Sequence, residues 1–279
     1  MTALPRITLA FDAEQTWWSR QRLALADVAR MLVLWRLVVT LSWLDLRLRY
    51  RGSMLGPFWL TLSTAVMIAA LGIVYSALFS IPLHDYLPFL ALSLVLWNGL
   101  AATLSDACTS FIQAEAMVRA MRMPFTVHAA RTVLRNVIVL AHNIPVVLAV
   151  YLIFGLWPGA VGLLAIPALL LWIADGMAAC LLLGAICARF RDIPPIIASV
   201  IQIAFFLSAV IWQPSQLSEH AYLLPLNPFF SLLEVLRAPL LGQLPSAWAW
   251  EAALAYSVVF CGAAWLLFAR ARARIAFWV

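Results

Sequence analysis

Asp175 lies in the middle of an otherwise uncharged apolar run spanning 160–188. If that run crosses a bilayer, an ionisable group at such depth needs a partner. His142 and Asn143 sit midway along the preceding run, and Gln202 has a similar depth in the following one. Together they predict an intramembrane polar cluster, open to two readings. It is either glue between helices, worth about 1 kcal/mol per bond, or a proton relay. Arg47, Arg49 and Arg51 form a second group, whose guanidinium forks could grip phosphate oxygens or serve only as positive anchors. Glu115, Arg119 and Arg122 fit a short amphipathic helix, and Glu234 and Arg237, at i and i+3, could pair on one helix face. The cysteines, Cys108, Cys180, Cys187 and Cys261, show no C-x-x-C pair or metal-ligand spacing and read as packing residues. No metal site is expected.

All eighteen basic residues are arginine. A P-loop requires a lysine that reaches the β- and γ-phosphates, so this chain has none, and Schiff-base chemistry is excluded too. If ATP drives the protein, another polypeptide hydrolyses it. A membrane glycosyltransferase would need acidic groups on an outer loop, and the first such loop offers only His84 and Asp85. An intramembrane serine protease would pair a buried serine with a histidine on another span; the last span has no histidine and Ser53 lies at the wrong depth. A secondary transporter remains the alternative, although only one proline-broken region is present where repeats would give two.

The elements that position these groups follow from composition. Of the 279 residues 65% are hydrophobic and 11% charged, against roughly 25% charged in soluble domains. This predicts an all-α integral membrane protein. Six runs are long enough to span a membrane (57–80, 85–106, 135–156, 160–188, 193–213 and 251–270). Seventeen of the eighteen arginines then fall on one side and only Arg237 on the other, which predicts cytoplasmic termini. No cleaved signal is expected at the N-terminus. The stretch 31–44 is too short and too charged to cross and predicts an interfacial helix within a cytoplasmic segment, 1–56, ahead of the transmembrane domain, 57–279. Between the fifth and sixth runs, the proline-rich 213–249 predicts a re-entrant hairpin. Tyr86, Trp157, Trp212, Tyr222, Trp248 and Trp250 predict an interfacial belt.

Arg47-Leu48-Arg49-Tyr50-Arg51-Gly52-Ser53-Met54-Leu55-Gly56-Pro57-Phe58-Trp59, leading into the first run, resembles the R-Y-R-x-S-x-L-G-x-x-W signature of type-2 ABC transporter permeases that export polysaccharides and polyol phosphates. Arg122-Met123-Pro124-Phe125 is similar to that family's basic-aromatic-proline turn, with methionine where an aromatic often stands. Asn227-Pro228-Phe229, continuing to Glu234 and Arg237, resembles its outer-hairpin motif. The resemblance covers residues 20 to 275 and implies a homodimer bound to two ATP-binding cassette subunits, which hold ATP and Mg while this chain holds no cofactor. It implies export of a polyprenyl-pyrophosphate-linked glycan, such as O-antigen, capsule or teichoic acid, across the bacterial inner membrane. On that footing 110–123 becomes a coupling helix for the ATPase. Arg47, Arg49 and Arg51 could hold the lipid pyrophosphate or simply anchor the chain among lipid headgroups. Trp97, Asn98, Tyr75 and Phe205 are candidates to line the conduit, with core packing as the competing role.

Overall fold

The structure, a computed structural model, describes residues 16–52, 58–121 and 123–278, and among these the chain is helical with no strand. Residues 1–15 and 53–57, the latter within the first motif, lie outside the described residues, as does Arg122. Two helices, α1 (Trp17–Val33) and α2 (Trp35–Arg49), come first. Five helical stretches are long and apolar enough to cross a membrane. They are α3 (Phe58–Phe79), α4 (Leu83–Thr109), α6 (Phe125–Phe154), α7 (Ala165–Arg189) with its 3-10 lead-in Gly159–Leu164, and α10 (Ala247–Trp278). The shorter helices are α5 (Glu115–Ala120), α8 (Ile193–Leu207) and α9 (Pro228–Leu240).

The core lies around α4, buried on all sides from Phe89 to Trp97 and packed against α3, α6, α7, α8 and α9. A helix apolar around its whole circumference belongs at a centre, not at a surface. On the far side of α7 lies α10, which also contacts α9 and α1. The Arg189 guanidinium stacks 5.3 Å from the Trp278 ring, so α7 and α10 end at the same, arginine-rich end of the molecule. The 190–246 segment therefore returns the chain to the opposite end, where α10 begins.

Two of the expected spans differ from what is seen. The third run begins at Phe125 instead of 135, because the charges of the first turns are paired and do not stop the helix. At 1.5 Å per residue its 30 residues measure about 45 Å, against about 30 Å of hydrocarbon, so its start projects beyond the apolar layer. The fifth run, expected over 193–213, is helical only to Leu207, after which Ala209 takes a left-handed φ of 50°. Its 15 residues rise about 22 Å, short of a crossing.

Side chains terminate α8. Carbonyls in and just past its last turn have lost their helical partners, and apolar surroundings make that costly. Four of them receive a side-chain donor. Trp212 Nε1 donates to Phe206 O at 2.9 Å, and Asn227 Nδ2 to Leu207 O at 3.2 Å. Arg237 Nη1 donates to Ala209 O at 2.6 Å, and Tyr86 Oη to Ile211 O at 2.6 Å. Tyr86 is thus fully buried and not in an interfacial belt, whereas Trp157, 85% exposed, fits one.

Candidate functional site

At the arginine-rich end the charges converge. Arg131 and Arg135, four residues apart near the start of α6, lie on one helix face and reach across to Asp45 of α2. Arg131 Nε donates to Asp45 Oδ2 at 2.5 Å, with a second bond from Arg131 Nη2 to Oδ1, and Arg135 Nη1 donates at 3.3 Å. Arg135 Nη2 also reaches Asp106 Oδ2, in the last turn of α4, at 2.8 Å, and Asn136 Nδ2 donates to the same oxygen at 3.0 Å. Arg49 Nη2 adds a contact to Asp106 at 3.4 Å. Arg135 and Asp45 keep only 6% and 10% of their side chains exposed. The chain of charges Arg131–Asp45–Arg135–Asp106–Arg49 therefore runs through α6, α2 and α4. Of these, only Arg49 was a predicted site residue. A signal for the others existed in the sequence: acid at the end of one apolar run and two arginines a helical turn apart at the start of the next.

Arg47 and Arg51 are exposed on the same segment. Glu115 and Arg119 pair along α5, Nη2 to Oε1 at 2.8 Å. The expected coupling helix over 110–123 is shorter, since residues 110–114 form turns. A further pair secures the N-terminal helix: Arg272 of α10 bonds both oxygens of the buried Asp27 at 2.6 and 2.7 Å, and Trp265 Nε1 donates to Gln21 Oε1 at 2.6 Å.

At mid-depth the predicted four-residue cluster does not assemble. Asp175 instead accepts from Ser257 Oγ at 2.7 Å and from Cys261 Sγ at 3.6 Å, both on α10. His142 Nδ1 and Asn143 Nδ2 contact carbonyls of their own helix, Ile138 O at 2.8 Å and Val139 O at 3.2 Å, while Gln202 is exposed on α8. The depths were similar, but rotation about each helix axis points the groups elsewhere. Asp175 and Ser257 border an apolar cavity of about 460 Å³ between α4, α7, α8, α9 and α10. Among the conduit candidates, Trp97 is 4% exposed and packs edge-on to Phe205; Asn98 is exposed.

At the opposite end, Asn227 caps α9, accepting from the Phe229 and Phe230 amides at 3.0 and 3.4 Å, with Pro228 at the first helical position. That pairing of cap and proline is written in the sequence. Arg237 is 1% exposed. It pairs with Glu234 one turn back, donates to Ser93 Oγ at 3.0 Å and lies 4.5 Å over the Phe89 ring. Tyr151 Oη and Trp172 Nε1 take the α9 carbonyls of Leu240 and Leu232 at 2.7 and 2.8 Å.

Comparison with known proteins places this arrangement. The chain is 26% identical over 248 residues to the O-antigen export system permease protein RfbA of Myxococcus xanthus, an alignment spanning 86% of this chain and 94% of the relative. A Klebsiella pneumoniae protein of the same name aligns over 202 residues at 20% identity, covering 72% of this chain and 78% of the relative. Residues 36–241 match the family described as ABC-2 type transporter, a stretch running from α2, through the charged junction, to the end of α9. The protein belongs to the ABC-2 type transporter family.

Proposed function

We propose that this chain is the membrane subunit of an ATP-driven exporter that moves a lipid-linked polysaccharide outward across the bacterial inner membrane, with ATP hydrolysed by a separate cassette subunit. The carrying observation is the match over nearly the whole length to a permease named for O-antigen export. The residue chemistry agrees, because a chain without lysine has no P-loop of its own. In this reading α5 docks into the ATPase, and its Glu115–Arg119 pair holds the docking face. Arg47 and Arg51, exposed at the end of α2 and just past it, take the pyrophosphate of the lipid carrier or anchor the chain at anionic headgroups. α8 and the hairpin through α9 together make the sixth crossing, with both termini cytoplasmic. The hairpin enters deeply, since Ser93, which Arg237 contacts, is ten residues into α4, about 15 Å of rise. A second copy covers part of the apolar surface left open on α3 and α8, with the conduit between the two.

The test is reconstitution with the companion ATPase. Export should be vanadate-sensitive, and Glu115→Ala with Arg119→Ala should lower it about tenfold while the complex stays assembled. ATP hydrolysis by the purified chain alone, or export indifferent to vanadate, would sink the reading. Unimpaired export by the double variant would remove α5 from coupling.

A further inference from the structure

We infer that α2 is a second transmission arm, fixed to the coupling end of the molecule by the Arg131–Asp45–Arg135–Asp106–Arg49 charge chain, and that it moves as one body with the ends of α4 and α6. The inference rests on the reading of α5 as the ATPase-docking helix.

A helix that merely lay among headgroups would turn its charges outward. Asp45 instead points inward and takes bonds from two arginines. Ser42, fully buried one turn earlier, donates to the Arg131 carbonyl at 3.0 Å, so backbone as well as charge ties α2 to α6. Arg131 also reaches the other way, its Nη1 lying 3.8 Å from Met117 Sδ of α5. One guanidinium therefore touches α5 and α2 together. The fork geometry at Asp45 fixes direction as well as distance. Asp45 and Arg135, at the middle of the chain, are shielded from water, so removing either leaves its partners poorly compensated.

α5 joins the ends of α4 and α6, which carry Asp106 and Arg131 with Arg135. A push on α5 displaces those ends, and α2 has to follow them or expose uncompensated charge. α3, the first span, packs against both α4 and α6, so displacement of those helices reaches it as well. Arg131 and Asp45 are then positioning residues that act through α2 and touch no substrate.

The charges can be removed singly and together in the intact complex with its ATPase. Asp45→Asn removes the negative charge that Arg131 and Arg135 share, whereas Asp45→Asn with Arg131→Gln removes one charge of each sign. We expect export by Asp45→Asn to fall about tenfold while ATP hydrolysis continues, and the double variant to regain thermal stability but not export. A bracing role alone predicts that export returns with stability; export within about twofold of wild type in either variant overturns the proposal. Should Asp45→Asn fail to assemble, spin labels at Trp43 and Ala116, in a Cys261→Ser background with the network intact, decide the matter. Their separation should be the same in nucleotide-free and vanadate-trapped complexes, and a change on trapping overturns the rigid-body claim. Normal export by the Glu115/Arg119 variant refutes the docking role of α5. Normal export by the Asp45 series, with α5 variants uncoupled, refutes only the role of α2.

Discussion

Arg237 and Asp175 are both charged residues within apolar helices, yet the structure treats them differently. Arg237 holds three elements at once: Glu234 on its own helix, Ser93 of α4, and the Ala209 carbonyl where α8 breaks. Asp175 makes one good hydrogen bond, to Ser257, and a weak one to a thiol. Arg237→Leu should therefore cost about 3–5 kcal/mol, because it strands a carboxylate and two further polar atoms. Asp175→Asn keeps an acceptor for Ser257 and should cost about 1 kcal/mol. Thermal unfolding in detergent, followed through the reactivity of the buried Cys108, Cys180 and Cys187, measures both. Similar melting points for the two variants would contradict this ranking. The Glu234–Arg237 pair was legible in the sequence because both ends sit on one helix and spacing fixes their faces. The partner of Asp175 was not, since depth along a span says nothing about its rotation, and Ser257 lies 82 residues away.

At the scale of elements, α7 shows how close helix contact is written into residue size. Gly176, Cys180 and Gly184 recur every fourth residue, a pattern that lets backbones approach inside a membrane. A Cβ built on Gly184 would stand 2.5 Å from Ser110 Oγ and 3.0 Å from Phe111 Cδ2, at the end of α4 where the turns leading to α5 start. A Cβ on Gly176 would meet Thr103 and Val133 at 3.2 and 3.3 Å. Gly184→Leu should force α7 from α4 and destabilise the fold by about 1–3 kcal/mol, with reduced assembly with the ATPase because residues 110–114 shift with it. Wild-type melting and copurification would show that the contact gives way without consequence. Hydropathy located the five long helices because burial in lipid imposes length and apolarity together. It overran α8 because nothing local marks the break: Ser208, Ala209 and Val210 include neither glycine nor proline. Asn227 and Arg237, 18 to 28 residues downstream, supply the donors that make it possible.

For the whole molecule, the decisive relation is between α1 and the end of α10. Asp27 of α1 and Arg272 of α10 are bound at 2.6 Å, so both helices reach the arginine-rich end. Five long helices alone would leave them at opposite ends, because each crossing changes side. The return between α7 and α10 therefore falls to α8, the 3-10 segment Pro214–Leu226 and α9. Those elements manage it with half-length helices whose broken backbone is satisfied by Tyr86, Trp212, Asn227 and Arg237, the arrangement a bilayer demands of irregular chain at depth. In the proposed topology the arginine bias puts the shared end in the cytoplasm. Single cysteines at Arg22, Arg274, Trp157 and Gln243, in a Cys261→Ser background, separate the possibilities. A membrane-impermeant maleimide added to spheroplasts should label the positions at Trp157 and Gln243. Those at Arg22 and Arg274 should react only after permeabilisation. Labelling of one terminal position without the other would break the Asp27–Arg272 link in the membrane and undo the sixth crossing. Labelling of both, with Trp157 and Gln243 silent, would keep the parity and reverse the orientation, so that α5 faced away from any ATPase.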